Sequence, residues 1–208
     1  MVTFSVLLFI LVFVFSYMLY LFCKRVIYKL NRRVLSRNIA VLKNSKSVMD
    51  FEHLTEDEIR EKVILPFLMI LGYNTYDYRE FERVKTRVNF YADYVVKKWY
   101  NSRLCKKPLY IKYLPFDDEF IDLQSKTFKE RCFKDTCINE LTDELYFGGE
   151  YYVLTNGLIY VFFTKKDADT KRFSYAVDLR KYTPNEAGKL AYFTKQYLFF
   201  EISDVYLA

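Results

Sequence analysis

Histidine occurs once in the 208 residues, at His53, and the four cysteines at 23, 105, 132 and 137 form no CxxC pair. Zinc sites of the usual kind, which need closely spaced Cys and His ligands, are thereby excluded. In a reducing compartment the thiols are expected to stay free, with Cys132 and Cys137 serving packing. No G-x-x-x-x-G-K-[ST] loop is present, so the chain has no ATP-driven motor of that type and no expected ATP partner. Internal repeats and low-complexity tracts are also missing. Two local absences say more: residues 1–46 contain no Asp or Glu, and Val2 to Cys23 contains no charge, Gly or Pro.

The first of these absences divides the formal charge of +6 unequally. Eight cations, Lys24, Arg25, Lys29, Arg32, Arg33, Arg37, Lys43 and Lys46, lie in the acid-free segment, which leaves 24 basic and 26 acidic side chains on the remaining 162 residues. A whole-chain excess that invites nucleic acid is therefore a property of the N-terminal arm. The second absence defines a membrane span: 22 uncharged residues at 1.5 Å each reach roughly 33 Å, against a hydrocarbon thickness of ~30 Å. A cleaved signal peptide would show a basic start, a shorter apolar core and an A-x-A-like site, and Tyr20-Leu21-Phe22 before Cys23 is not a lipobox. With every nearby cation on the C-terminal flank, the positive-inside rule puts the N-terminus outside and residues 24–208 in the cytoplasm, as a single-pass protein. Ile27, Leu30, Val34 and Leu35 lie among the cations at helical spacing, so this arm extends the helix along anionic headgroups, and residues 2–46 are the lipid-binding part.

Hydrophobic residues make up 52 % and charged residues 28 %, the balance of a globular domain and not of a disordered chain or polytopic transporter. The 20 % aromatic content is compatible with a base-stacking surface, but the codon bias of an AT-rich genome explains it without function. Polar residues 44–52 separate arm from domain, giving three parts: a 1–23 anchor, a 24–49 juxtamembrane helix or linker, and a 50–208 domain. The domain opens on a capping box, Thr55-Glu56-Asp57-Glu58, with Leu54 and Ile59 as its staple. A helix runs from there through Ile59, Val63, Phe67 and Ile70 to Gly72, with a kink expected at Pro66. Residues 89–96 and 109–114 alternate as two neighbouring strands, the second placing Tyr110, Lys112 and Leu114 on one face. A long amphipathic helix is expected over 123–147, then a hairpin of 151–154 and 158–163 about Thr155-Asn156-Gly157, a strand in 173–179 and a last helix over 184–197.

Residues and order together resemble the N-terminal nuclease domain of type I restriction enzyme R subunits and its stand-alone phage and bacterial relatives. The matching stretches are Thr55-Glu56-Asp57-Glu58-Ile59-Arg60 with Ile64-Leu65-Pro66, Leu71-Gly72-Tyr73, Ala92-Asp93-Tyr94, Leu154-Thr155-Asn156-Gly157, the 173–179 run and Tyr192-Phe193-Thr194-Lys195. The resemblance implies an α+β restriction-endonuclease-like core of the PD-(D/E)xK class. Its central mixed sheet is flanked by helices and here preceded by one transmembrane helix in a bacterial cell membrane. It further implies Mg²⁺-dependent hydrolysis of DNA in active members, and a place in phage defence or phage biology.

Such chemistry needs two carboxylates on adjacent strands to hold the metal at the scissile phosphate, with a lysine beside them. Asp93 matches the first carboxylate and is the metal ligand if the site is active. The second motif, Glu-x-Lys, is missing: its positions fall on Tyr110, Lys112 and Leu114, none of them acidic. Glu56 matches the acidic residue that opens the family's first helix, though first-turn complementarity to the helix dipole accounts for it equally. Asp117, Asp118 and Glu119 lie just past the second strand, and Arg60 suits either a pocket or a solvated helix face. The remnant site is thus Asp93, Lys112 and Glu56, with Asp93 and Lys112 expected as a cross-strand ion pair and no cofactor. A degenerate module binding DNA or a protein is the reading adopted; an active Mg²⁺ endonuclease with a relocated carboxylate, and a structural adaptor with a vestigial pocket, are the alternatives. Net charge gives DNA binding no support, leaving local groups such as Arg83, Lys85 and Arg87, or Lys97, Lys98, Arg103, Lys106 and Lys107.

Overall fold

With no Gly or Pro to interrupt it, the N-terminal segment is one helix, α1 (Val2–Lys43), about 63 Å long at 1.5 Å per residue in the computed structural model. The structure describes residues 2–83, 92–96, 99–100, 103–104, 109–116, 118–129, 151–164, 166–167, 170 and 172–195. It is a mixed α+β protein whose one long apolar helix near the N-terminus has the length and composition to cross a membrane. From Leu11 to Tyr20, and again at Phe22, the large apolar side chains of α1 are exposed, whereas Leu35, Ile39 and Leu42 are buried in the globular core. Of the stripe expected to rest on lipid, Leu30 and Val34 are exposed and Leu35 is buried; the Ile27 side chain lies outside the described set. The second half of α1 is therefore part of the core, because Leu35, Ile39 and Leu42 make a stripe one turn further along.

After α1 come a short helix, α2 (Lys46–Met49), and the capping box. Glu58 N–H donates to Thr55 Oγ1 at 3.4 Å, and Thr55 N–H to Glu58 Oε2 at 3.0 Å. The helix it opens is α3 (Glu56–Ile59), a π-helical turn (Arg60–Ile64) and α4 (Leu65–Ile70). Pro66 lacks an N–H and its ring opposes the carbonyl of Lys62, so the chain widens into the π turn, with Leu65 N–H donating to Arg60 O. Gly72, at φ +92°, ends the helix where an L side chain would be strained.

The main sheet is six-stranded, in the order β1 (Phe81–Arg83), β2 (Tyr94–Val96), β5 (Leu109–Tyr113), β8 (Tyr151–Thr155), β9 (Ile159–Thr164), β10 (Tyr175–Asp178). The β5–β8 pair is parallel and the other neighbours antiparallel. Two-residue ladders β3 (Trp99–Tyr100) with β4 (Arg103–Leu104), and β6 (Ile121–Asp122) with β7 (Thr127–Phe128), stand apart. Alternation along the strands gives two cores. Tyr94, Val96, Ile111, Val153, Tyr160 and Phe162 pack against α1, α3, α4 and the C-terminal helical segment. On the opposite face Val95, Tyr110, Tyr152, Leu154, Val161 and Phe163 pack against Phe120, Phe128 and Phe173.

Two sequence expectations change here. The helix expected from 123 is, over its first residues, the β6–β7 hairpin: the Asp122 carboxylate accepts from the N–H groups of Gln124 and Ser125, and Lys126 takes φ +57°. Phe128, edge-on to Phe120, Phe163 and Phe173, gains more from that aromatic cluster than from helix propensity. Residues 130–150, with Cys132, Ile138, Leu141 and Leu145, lie outside the described residues. The last helix is divided into a 3₁₀ turn at Pro184–Glu186, the single α turn α5 (Ala187–Leu190) and a second 3₁₀ turn at Ala191–Phe193. Thr194 is extended, and residues from 196 onward are likewise outside.

Candidate functional site

Asp93 sits on the bend just before β2, where β5 runs on beyond its neighbour. Its N–H donates to Ile111 O at 2.8 Å, and its carboxylate Oδ2 accepts from Tyr113 N–H at 2.8 Å. The side chain thus continues the ladder where the β2 backbone turns away, satisfying a strand N–H that would otherwise lack a partner. Lys112, one residue back on β5, brings Nζ to 3.5 Å from Asp93 Oδ2. Tyr110 and Leu114 flank it in the aromatic core, so the three residues share a face as alternation requires.

From the other side comes Arg60, the first residue of the π turn. Nη2 lies 3.2 Å from Asp93 Oδ1 and also pairs with Glu56 one turn earlier, while Nη1 is 3.6 Å from Asp57. The guanidinium lies 5.1 Å from the centroid of the Tyr113 ring, a cation–π contact. Arg83 reaches Asp57 at 3.6 Å. Side chains of Arg60, Lys112 and Asp93 are 16 %, 15 % and 19 % exposed, so this chain of charges is shielded from water without being sealed from it. Burial pushes the Tyr113 hydroxyl above its ordinary pKa, with the Glu56 charge adding to the effect.

The structure thus brings Asp93, Lys112 and Glu56 into one network, and Arg60 joins them. Sequence reasoning left Arg60 undecided between pocket and solvated face; the signal available was its i,i+4 spacing from Glu56. Both Asp93 oxygens are committed to donors, and Glu56 is turned to the same guanidinium. This donor set does not fit Mg²⁺, a hard cation that takes oxygen ligands and would here meet a guanidinium and an ammonium. Among the described residues no three His, Cys, Asp or Glu side chains gather as a metal group. Glu119 is exposed on a 3₁₀ turn (Asp118–Phe120); Asp117 and the Asp118 side chain lie outside the described set.

The Thr155-Asn156-Gly157 turn has a structural account. Asn156 Oδ1 accepts from Leu158 and Ile159 N–H, and Nδ2 donates to Phe116 O at 2.9 Å, tying the hairpin to the segment after β5. Gly157, at φ +94°, lies so close to α3 that a Cβ there would meet Ile59 Cγ2 at 2.6 Å and the Phe51 ring at 2.9 Å. The turn holds the helix that presents Arg60. Compared with family models, curated proteins and solved structures, the chain matches none of them.

Proposed function

We propose that this protein is a membrane-tethered module with a catalytically degenerate restriction-endonuclease-like core, and that it acts on the cytoplasmic face by binding a protein partner. The observation behind this reading is the state of the Asp93 carboxylate, held by Arg60, Lys112 and Tyr113 N–H where an active relative would hold a metal. The antiparallel β1-β2-β5 run beside the parallel β5–β8 pair supports the assignment of the core, since it sets Asp93 and Lys112 on adjacent chain segments at one sheet end.

A protein is favoured over DNA because many of the described cations of the domain pair with its own acids; Lys85, Arg87, Lys97, Lys98, Lys106, Lys107 and the Arg103 side chain lie outside the described residues. Arg60, Lys62, Arg79, Arg83, Lys112 and Lys195 all pair with carboxylates. Phosphate neutralisation needs uncommitted, clustered cations. Purified full chain in detergent is expected to leave plasmid DNA intact in Mg²⁺ or Mn²⁺ and to show no salt-sensitive retention of duplex DNA. Cleavage that disappears in Asp93→Ala would establish the alternative of an active nuclease, and tight salt-dependent DNA binding would replace the protein partner.

A further inference from the structure

The cations of α1 stand apart from those of the domain. Arg25, Lys29, Arg32, Arg33 and Arg37 are exposed and make no ion pair among the described residues. Arg25, Lys29 and Arg32 recur at i, i+4, i+7, on one face of the helix. Against that face lies α5: Tyr28 Oη donates to Gly188 O at 3.4 Å, and the Arg32 guanidinium lies over Gly188, its Cζ 3.0 Å from where a Cβ would stand. A side chain at 188 would crowd that contact, so glycine lets the guanidinium lie close to α5. The next residue, Lys189, is exposed, with Nζ 6.0 Å from the centroid of the Tyr175 ring; Glu186, which caps the preceding turn, accepts from Thr183 N–H at 2.6 Å.

The height of this cluster follows from helix geometry. Tyr28 is five residues past Cys23, about 8 Å along the axis, and Arg32 about 14 Å. The headgroup layer extends roughly 5–8 Å beyond the hydrocarbon. Because Cα–Cβ bonds of a helix tilt toward its N-terminus, the long side chains of Arg25, Lys29 and Arg32 lean back toward the bilayer and snorkel into that layer. The first tertiary contact of the domain is thus made at the membrane surface.

We infer that Arg25, Lys29 and Arg32 of α1 together with Lys189 of α5 form a binding site for the headgroup phosphates of anionic phospholipids, which fixes the domain against the bilayer in one orientation. The inference rests on reading α1 as a membrane span. Exposed cations with no ion-pair partner among the described residues attract phosphate counter-charge at this height.

The test uses the full chain in nanodiscs of phosphatidylcholine with or without phosphatidylglycerol, read by hydrogen exchange of the 187–190 amides. Exchange is expected to slow about tenfold with phosphatidylglycerol. Arg32→Gln/Lys189→Gln should reduce the difference to less than about twofold, and so should high salt on the unmodified chain, which avoids any folding defect of the variant. Equal exchange in both discs, or protection that survives both the variant and high salt, would overturn the inference. Protection in phosphatidylcholine discs on adding inorganic phosphate would also overturn it, making the site one for free anions. Flotation with liposomes after alkaline extraction separates the two readings: a chain that does not float fails as an anchor, and one that floats in both lipids without differential exchange fails only as a docked domain.

Discussion

Two carboxylates in this protein, Asp178 buried and Asp93 partly shielded, are each met by one arginine and one lysine, and they are not equivalent. Asp178, with its side chain 4 % exposed, is held by Arg180 through Nε at 3.0 Å, Nη2 at 2.9 Å and the backbone N–H at 2.9 Å, with Lys181 at 3.7 Å. All of these partners lie within three residues, and their cations are 40 % and 74 % exposed. Asp93 draws its partners from the π turn after α3 and from β5, 33 and 20 positions away, and their cations are themselves shielded. An Asp–Arg–Lys grouping is therefore no active-site signature by itself, since a chain-local cap produces one. What distinguishes Asp93 is convergence of separate elements on one carboxylate and the shielding of its cations.

That contrast predicts unequal costs. Asp93→Ala strands two shielded cations and a strand N–H, and should destabilise the domain by about 3 kcal/mol, the lower end for breaking a buried pair, given the residual exposure. Urea titration of the detergent-solubilised chain reads the loss; an effect no larger than that of Asp178→Ala would erase the distinction. Gly157→Ala comes next, at about 2 kcal/mol, from the left-handed φ and the collision with Ile59 and Phe51. Since it displaces the neighbour of Arg60, it should couple with Asp93→Ala and add simply to Asp178→Ala in double-mutant cycles; additivity with both would detach the turn from the site. Asp178→Ala should cost about 1 kcal/mol, the worth of a lost cap, because its cations return to water.

Local elements of this arrangement were legible in the sequence. The capping box, the Asn-Gly hairpin and the alternation that sets Tyr110, Lys112 and Leu114 on one face depend on neighbours a few residues apart, so their patterns are written contiguously. Arg60 as the partner of Asp93 was not, because it requires the widened turn before Pro66 and a sheet register that brings residue 93 beside residue 113. Leu35, Ile39 and Leu42 were hidden among cations that suggested lipid, although their 4- and 3-residue spacing marks a core stripe. The β6–β7 hairpin was missed because Phe128 takes its place from aromatic partners at 163 and 173, beyond any local window.

A third carboxylate–cation pair, more open to water, provides the weak limit of the series. Glu58 accepts from Lys62 Nζ at 2.5 Å and from Thr55, and these contacts, Lys62 foremost, lower its carboxyl pKa from 4.5 to about 2. A folded-state pKa below the unfolded one means that the ionised form favours the fold. Its contribution is thus complete above pH 4.5 and is lost as pH falls toward 2. Glu58→Gln should flatten the acid limb of stability in that window, with the two melting curves converging below it. Salt should shrink the difference, because exposed pairs are screened, whereas the Asp93 penalty at neutral pH should persist. If salt diminished both equally, the shielding of Arg60 and Lys112 would have no energetic consequence, and the Asp93 cluster would behave as another surface pair.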